Sequence, residues 1–282
     1  MKKRNIAWSV MATGLLSCFL LAGCNGQRQI DSETVKSVKV EENAHLQDDS
    51  TSPTCKVTID YSYLAESNDA DTVARRINET ALAYSLGKEY GRMPPGAAVD
   101  SFKNAYIANY RTDVSGLYEE DIKNGTAKED LPSWFNYEYS LTTKFSDGKE
   151  GVLNFTSWKF EYTGGAHPNE WGRWLNFDTA NGKLLKLQDV FIAGFEAPVS
   201  QLLLKELIIE MAARLEDENI KSLKDLQNAG ILNLTNMYVP ENFLLEKEQV
   251  SFLYNKYDIA PYSVGSITLS LPYSEIEKYM IH

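Results

Sequence analysis

The sequence predicts an α+β fold in which antiparallel β-hairpins are covered by amphipathic helices. Some segments alternate apolar and polar residues, as half-buried strands do, whereas others repeat apolar residues every three or four positions, as amphipathic helices do. Turn-forming pairs such as Asp147-Gly148 and Asn181-Gly182 separate neighbouring alternating segments, which favours hairpins. Together the elements suit one large domain or two closely packed small domains.

The first 24 residues indicate export from the cytoplasm. Lys2, Lys3 and Arg4 precede an apolar run from Val10 to Leu20, and the run ends in Leu21-Ala22-Gly23-Cys24. This order is typical of a bacterial lipoprotein signal, so we expect residues 1–23 to be removed and Cys24 to carry lipid outside the cytoplasm. An uncleaved membrane helix is the alternative, but the run is shorter than the roughly 20 residues that a span requires.

Residues 24–53 are polar, rich in acidic residues and free of aromatic ones. This composition predicts a disordered tether between the lipid and the folded part. Of the three cysteines, Cys18 lies in the signal and Cys24 is the lipid site, so Cys55 remains alone and no intramolecular disulfide is expected.

Residues 54–130 are predicted to form a smaller N-terminal α+β domain. Its first strand alternates through Val57, Ile59, Tyr61 and Tyr63. A helix should follow the capping candidates Asn68, Asp69 and Asp71, with Val73, Ile77, Ala81 and Tyr84 on one face. A second helix is predicted after Pro94-Pro95-Gly96 from Val99, Phe102, Tyr106 and Tyr110, and it should end between Gly116 and Gly125.

Residues 131–282 are predicted to form a C-terminal α+β domain that begins with two hairpins. Val152, Thr156, Trp158, Phe160 and Tyr162 share one parity of the long return strand of the first hairpin. Residues 199–215 carry a wide aliphatic stripe typical of a helix packed on a core. Strands are predicted at 243–246, 250–254 and 267–271, and a short helix at 273–280.

Several segments of this C-terminal part resemble a known extracytoplasmic domain. They are Tyr162 to Asn169, Trp174 to Asp178, Leu187 to Phe191, Tyr257 to Tyr262 and Leu271-Pro272-Tyr273. The resemblance, over roughly residues 150–280, is to the family of unknown general function shared by RsiV-type anti-sigma factors and PdaC-type peptidoglycan deacetylases. The resemblance implies that this chain corresponds to the sensor part of these proteins. In the RsiV branch, that part binds lysozyme. Because few residues precede the signal's apolar run and the printed sequence stops after the module, we expect neither a sigma-binding domain nor a deacetylase domain.

The turn Gly164-Gly165-Ala166-His167 is the centre of the candidate ligand-binding site. Its candidate residues are Tyr162, Gly164, Gly165, His167, Asn169 and Trp171, with Trp171 expected as an exposed aromatic anchor. The glycines, Pro168 and the polar side chains also suit a loop that only stabilises itself. His45 and His282 are the other two histidines and lie far away in sequence, so we expect no metal site and no cofactor.

Two functions from different classes fit these patterns. The first is a lipid-anchored envelope protein that binds an extracellular protein such as lysozyme, or a peptidoglycan fragment, without catalysis. The alternative is a cell-wall hydrolase or esterase that uses His167 and a nearby carboxylate. The net charge of −11 argues against nucleic acid as a partner and suits a cationic one, although a solvated acidic surface explains the same charge.

Overall fold

The computed structural model describes residues 34–66, 71–232 and 234–281. The predicted signal peptide, Cys24, and the capping candidates Asn68 and Asp69 lie outside the described residues. None of the described helices combines the length and apolarity that crossing a bilayer demands.

Nine strands and six α-helices occur in the described parts of the chain. The strands are β1 (Val35–His45), β2 (Thr54–Leu64), β3 (Tyr137–Asp147), β4 (Val152–Tyr162), β5 (Asn169–Asp178), β6 (Leu184–Leu185), β7 (Phe243–Leu245), β8 (Gln249–Tyr254) and β9 (Ile267–Pro272). The helices are α1 (Thr72–Ser85), α2 (Pro95–Lys123), α3 (Leu187–Val190), α4 (Glu196–Leu215), α5 (Leu223–Asn228) and α6 (Tyr273–Ile276). The predicted α+β class is confirmed.

The strands form two sheets. The larger has the order β1-β2-β3-β4-β5-β6, and the smaller has the order β7-β8-β9. Every neighbouring pair is antiparallel except β2 and β3, which are parallel. A parallel pair requires a crossover, and α1 and α2 supply it. Asp71 caps α1 as predicted, because its carboxylate accepts a hydrogen bond from the Ala74 amide at 3.2 Å.

The disorder predicted for residues 24–53 is wrong where β1 lies. All eleven residues of β1 pair with β2, from Val35 opposite Leu64 to His45 opposite Thr54. Val38 and Val40 pack against the core, while their neighbours Lys39 and Glu41 are exposed. An edge strand buries only one narrow row of side chains, so it can form without the large apolar residues whose absence suggested a tether.

The larger sheet carries α1 and α2 on one face. The core between them contains Val57, Ile59, Phe155 and Phe177, and a second core joins α4 to the smaller sheet. The expected boundary between residues 130 and 131 does not match this division, because it separates β2 from its hydrogen-bonded neighbour β3. The two sheets instead divide after β6.

The odd-numbered residues of β4 face the helices, whereas the aromatic residues of even number face the other side of the sheet. Leu153 and Phe155 are buried on the helical side, whereas Trp158 is 40% exposed on the other face. Aromatic residues therefore line the outer face of this strand, and the apolar pattern alone did not distinguish the two faces.

Four asparagines, which we call the asparagine ladder, join the two sheets. Asn154 donates to the Leu245 carbonyl at 3.2 Å, and Asn176 bonds the backbone of Phe243 and Leu245 at 2.9 and 2.7 Å. Asn242 bonds Trp174 and Gly172 at 2.6 and 2.9 Å. Asn255 also bonds Gly172, accepting from its amide at 2.6 Å and donating to its carbonyl at 3.1 Å. The ladder fixes the segment after β8 beside the start of β5.

A close approach of the two sheets accompanies the ladder. A Cβ atom at Gly172 would lie 2.6 Å from the Leu253 side chain and 3.0 Å from the ring of Trp158. Only glycine leaves room for this contact without a shift of its neighbours.

Candidate ligand-binding site

The loop between β4 and β5 meets the segment that follows β8. Between them lies a pocket of about 290 Å³, which we call the loop pocket. It is lined by Asn169, Glu170, Trp171, Asn255, Lys256, Tyr257, Asp258 and Tyr262. Two segments more than 80 residues apart in the sequence thus form one site.

His167 contacts two tyrosines beside this pocket. Its Nε2 atom lies 3.1 Å from the Tyr257 hydroxyl, and its ring stacks on Tyr262 with centroids 3.8 Å apart and planes 17° apart. Among the described residues, no carboxylate forms an ion pair with the imidazole of His167. The imidazole therefore joins an aromatic cluster.

Tyr257 holds an unfavourable backbone conformation at the rim of the pocket. Its φ is +70°, and its side chain is 57% exposed. A left-handed conformation costs a residue with a large side chain about 1–3 kcal/mol. The Asp258 carboxylate accepts a hydrogen bond from the Asn255 amide at 2.7 Å and stabilises the surrounding turn. The fold thus maintains an exposed phenol at a conformational cost.

Lys256 brings a positive charge to the same pocket. Its Nζ atom lies 2.8 Å from a Glu170 carboxylate oxygen and 4.3 Å from the Tyr262 ring centroid. Burial disfavours its charge, but the interactions with Glu170 and Tyr262 outweigh burial and raise the pKa of Lys256. The ammonium group stays charged over the physiological range and helps to fix Tyr262.

Trp171 differs from the exposed anchor that the sequence suggested. It is half-buried, and the Lys159 ammonium lies 3.7 Å from its ring centroid, a cation–π contact. Burial lowers the pKa of Lys159, although Glu161, 3.6 Å away, opposes the shift. Trp171 lines the pocket, but Lys159 already occupies part of its ring surface.

The structure brings some of the predicted site residues together and separates one. Asn169 and Trp171 line the loop pocket, and His167 contacts two of the tyrosines beside it. Tyr162 instead lines a different groove, on the outer face of the larger sheet. Gly164 and Gly165 form the turn that leads to His167.

Gly164→Ala is expected to destabilise the loop, whereas Gly165→Ala should have little effect. Gly164 has a φ of +87°, and a Cβ there would lie 2.6 Å from the Trp134 carbonyl oxygen. At Gly165 φ is not in the left-handed region, and the nearest atom to an added Cβ is 3.8 Å away. We expect a loss of about 1–3 kcal/mol for Gly164→Ala and under about 0.5 kcal/mol for Gly165→Ala, measured by urea denaturation. Equal losses from both variants would contradict the assigned turn.

Sequence reasoning missed the second half of the pocket. Asn255, Lys256 and Tyr257 belong to no catalytic or metal-binding motif, so no such motif in the sequence marks them as pocket residues. In the sequence, Tyr257 to Tyr262 is marked only by its resemblance to a family. Three positive signals could have been combined: a tyrosine pair, an Asn-x-x-Asp turn and the resemblance itself.

The comparisons with known proteins match both parts of the chain. Residues 49–170 match the family model described as "Deacetylase PdaC", and residues 188–274 match that of "Protein of unknown function (DUF3298)". A search of curated proteins gives no match. The loop pocket combines Asn169 and Glu170, at the end of the first match, with residues 255–262 of the second.

Two solved structures of the DUF3298 family are similar to the chain. One, from Bacteroides fragilis NCTC 9343, has a TM-score of 0.78 and 29% identity, and the alignment covers 88% of this chain and 93% of that chain. The other, from Pseudomonas aeruginosa PAO1, has a TM-score of 0.59 and 19% identity, covering 88% and 94%. The second similarity concerns the fold alone. The chain therefore contains PdaC-like and DUF3298-like domains on a fold shared with DUF3298 proteins.

Proposed function

We propose that this protein is an envelope module that is tethered to the membrane by lipid on Cys24. It binds an extracellular protein without catalysing a reaction on it. The PdaC-like match supports an extracytoplasmic location. The sequence resemblance to the RsiV branch suggests lysozyme as the first partner to test. The partner is proposed to contact the loop pocket.

The contacts of His167 are the main observation that supports binding over hydrolysis. In nucleophilic catalysis a histidine takes a proton from the nucleophile with one ring nitrogen, while a third group orients the other nitrogen. Here Nε2 faces the phenol of Tyr257 and the ring stacks on Tyr262. In the described part of the chain no hydrogen bond reaches Nδ1 of His167, so the arrangement favours an aromatic contact surface.

The conformation of Tyr257 supports the same conclusion. Strained backbone conformations cluster at active sites and ligand clamps. The Tyr257 side chain is among the most exposed of the large aromatic ones in the described structure. Aromatic side chains that present a flat apolar face and a polar tip are frequent anchors in protein interfaces.

The charge of the molecule suggests which class of protein binds. The chain carries a formal charge of −11, and the pocket adds the acidic Asp258 to the Lys256–Glu170 ion pair. An acidic surface accelerates the approach of a basic partner, and dissolved salt weakens this attraction. Lysozyme is a basic extracellular protein and fits this requirement.

Binding of lysozyme to the full chain is expected to depend on salt and on Tyr257. Association should slow as ionic strength rises from about 0.05 M to about 0.5 M, because the Debye length shortens. Tyr257→Ala should weaken binding about tenfold, mostly through faster dissociation, since removal of a central anchor costs 1 kcal/mol or more. Surface plasmon resonance measures both rates.

Tyr84 provides the matched control for this experiment. It is an exposed tyrosine on α1, outside the loop pocket, so Tyr84→Ala should leave the lysozyme affinity unchanged. Absence of lysozyme binding, together with hydrolysis of a glycan or ester substrate that His167→Ala abolishes, would replace the binding function with the enzymatic alternative.

A further inference from the structure

The face of the larger sheet opposite the helices is only partly covered. The smaller sheet packs on this face near Asn154, Gly172 and Asn176 through the asparagine ladder. Outward-facing residues of β1, β2, β3 and the end of β4 lie beyond it, and the ring of Trp158 borders the contact between the sheets near Gly172. We call this uncovered region the open face and define it by Lys39, Lys56, Ser140, Thr142, Trp158 and Tyr162.

An aromatic row crosses the open face along β4. Trp158, Phe160 and Tyr162 occupy alternate positions, so their side chains leave the same side of the strand. Trp158 is 40% exposed, and the other two are half-buried. A strand rises about 3.3 Å per residue, so the row extends over roughly 13 Å, the length of two or three sugar units in a linear chain. Flat ring faces at regular intervals suit stacking against pyranose rings.

Uncharged hydroxyl groups lie next to these rings. Ser140 and Thr142 of β3 are the direct cross-strand partners of Phe160 and Trp158. Hydroxyl side chains both donate and accept hydrogen bonds, as sugar hydroxyls also do. The row therefore offers apolar stacking with polar contacts along one side.

At the Tyr162 end the row enters a groove of about 460 Å³. Asn43, Thr54, Lys56, Glu138 and Tyr162 are among the residues that line it. A chain that stacks on the row can thus continue into a polar groove with amide, hydroxyl and charged groups. The lining residues of the loop pocket differ from those of the groove, although Glu170 of the loop pocket is the cross-strand partner of Phe160.

The charges on the open face balance, although the whole chain is acidic. Lys39 pairs with Asp60 at 2.8 Å, and Lys56 lies directly opposite Glu138 on the neighbouring strand. Glu41 and Lys144 add one charge of each sign on outward positions. A nucleic acid would require a net positive face, and a basic protein would prefer a net negative one. A neutral ligand is complementary to this face.

We infer that the open face binds a linear, uncharged glycan chain, which stacks on Trp158, Phe160 and Tyr162. This inference goes beyond the proposed function, because it concerns a second surface and another class of ligand. The contact requires no metal and no covalent step. It gives the molecule two adjoining surfaces, one for a glycan and one for a protein.

Isothermal titration of the full chain with chitohexaose and with cellohexaose tests the inference. We expect binding of at least one of them, accompanied by a change in tryptophan fluorescence. Trp158→Ala and Phe160→Ala should each weaken it about tenfold, since aromatic contacts of this kind contribute about one factor of ten. Trp158→Phe keeps an aromatic face and should lose less affinity than Trp158→Ala.

Controls separate this surface from the loop pocket. Tyr257→Ala should leave glycan binding unchanged, and binding should be insensitive to salt, unlike the proposed association with lysozyme. Circular dichroism of each variant verifies folding. Absence of oligosaccharide binding at millimolar concentration, or equal binding by folded Trp158→Ala and Phe160→Ala, would overturn the inference. A dimer in sedimentation experiments that these two variants dissociate would also overturn it, because a second copy would then occupy the face.

Discussion

Phe155→Ala is expected to lower the free energy of unfolding by about 3–5 kcal/mol, the range for truncation of a buried phenylalanine. Phe155 is fully buried between the larger sheet and its helices. Its ring centroid lies 4.8 Å from that of Phe145 and 6.3 Å from that of Tyr61. Truncation therefore removes apolar burial and leaves a cavity that the surrounding strands cannot fill.

Phe160→Ala is the matched control for this prediction. Phe160 lies on the same strand but on the open face, and it is only half-buried. We expect a loss of less than about 1.5 kcal/mol, because less apolar surface returns to water and no internal cavity forms. Urea denaturation of both variants measures the difference. Comparable losses would show that β4 does not present its odd-numbered side to the core.

Asn242→Ala is expected to lower the free energy of unfolding by about 1–3 kcal/mol. Asn242 is 7% exposed. Its side-chain oxygen accepts a hydrogen bond from the Trp174 backbone N–H, and its side-chain nitrogen donates one to the Gly172 carbonyl. The Trp174 backbone N–H loses its acceptor, and a buried group without a partner costs about 1–3 kcal/mol, whereas the Gly172 carbonyl keeps the hydrogen bond from Asn255 at 3.1 Å. Asn242→Asp keeps the acceptor but loses the donor and places a charge in a buried position, so it should not restore stability.

Asn104→Ala provides the comparison at an exposed position. Asn104 lies on the solvent side of α2, and its replacement should change the stability by no more than about 0.5 kcal/mol. Thermal unfolding followed by circular dichroism distinguishes the two variants. If Asn242→Ala were as stable as Asn104→Ala, the asparagine ladder would not hold the two sheets together.

Local signals in the sequence predicted most elements of the fold. Asp147-Gly148 and Asn181-Gly182 lie at hairpin turns, and the aliphatic stripe from Val199 to Leu215 belongs to α4. These elements depend on residues close together in the chain, so their patterns are readable without tertiary structure.

Features that depend on distant contacts could not be predicted in this way. β1 has few large apolar residues and exists because it pairs with β2. The parallel pairing of β2 with β3 has no local signature, and the outward aromatic residues of β4 imitate a core pattern. The candidate site follows the same rule: the Gly-Gly-Ala-His turn was visible, whereas the approach of Tyr257 and Tyr262 to His167 depends on the packing of the two sheets.

The parallel pairing of β2 with β3 has a consequence for the order of folding. β3, β4 and β5 follow one another through short connections, so each can pair soon after it is synthesised. β2 must wait until the whole α1–α2 crossover and the first half of β3 have been made, because its partners are Tyr137 to Thr142. The entropic cost of closing a loop grows only slowly with its length, but local pairings form first. The hairpin of β1 and β2 therefore joins the sheet across the whole crossover, and in the nascent chain only α1 and α2 can cover Val57 and Ile59 until β3 is made.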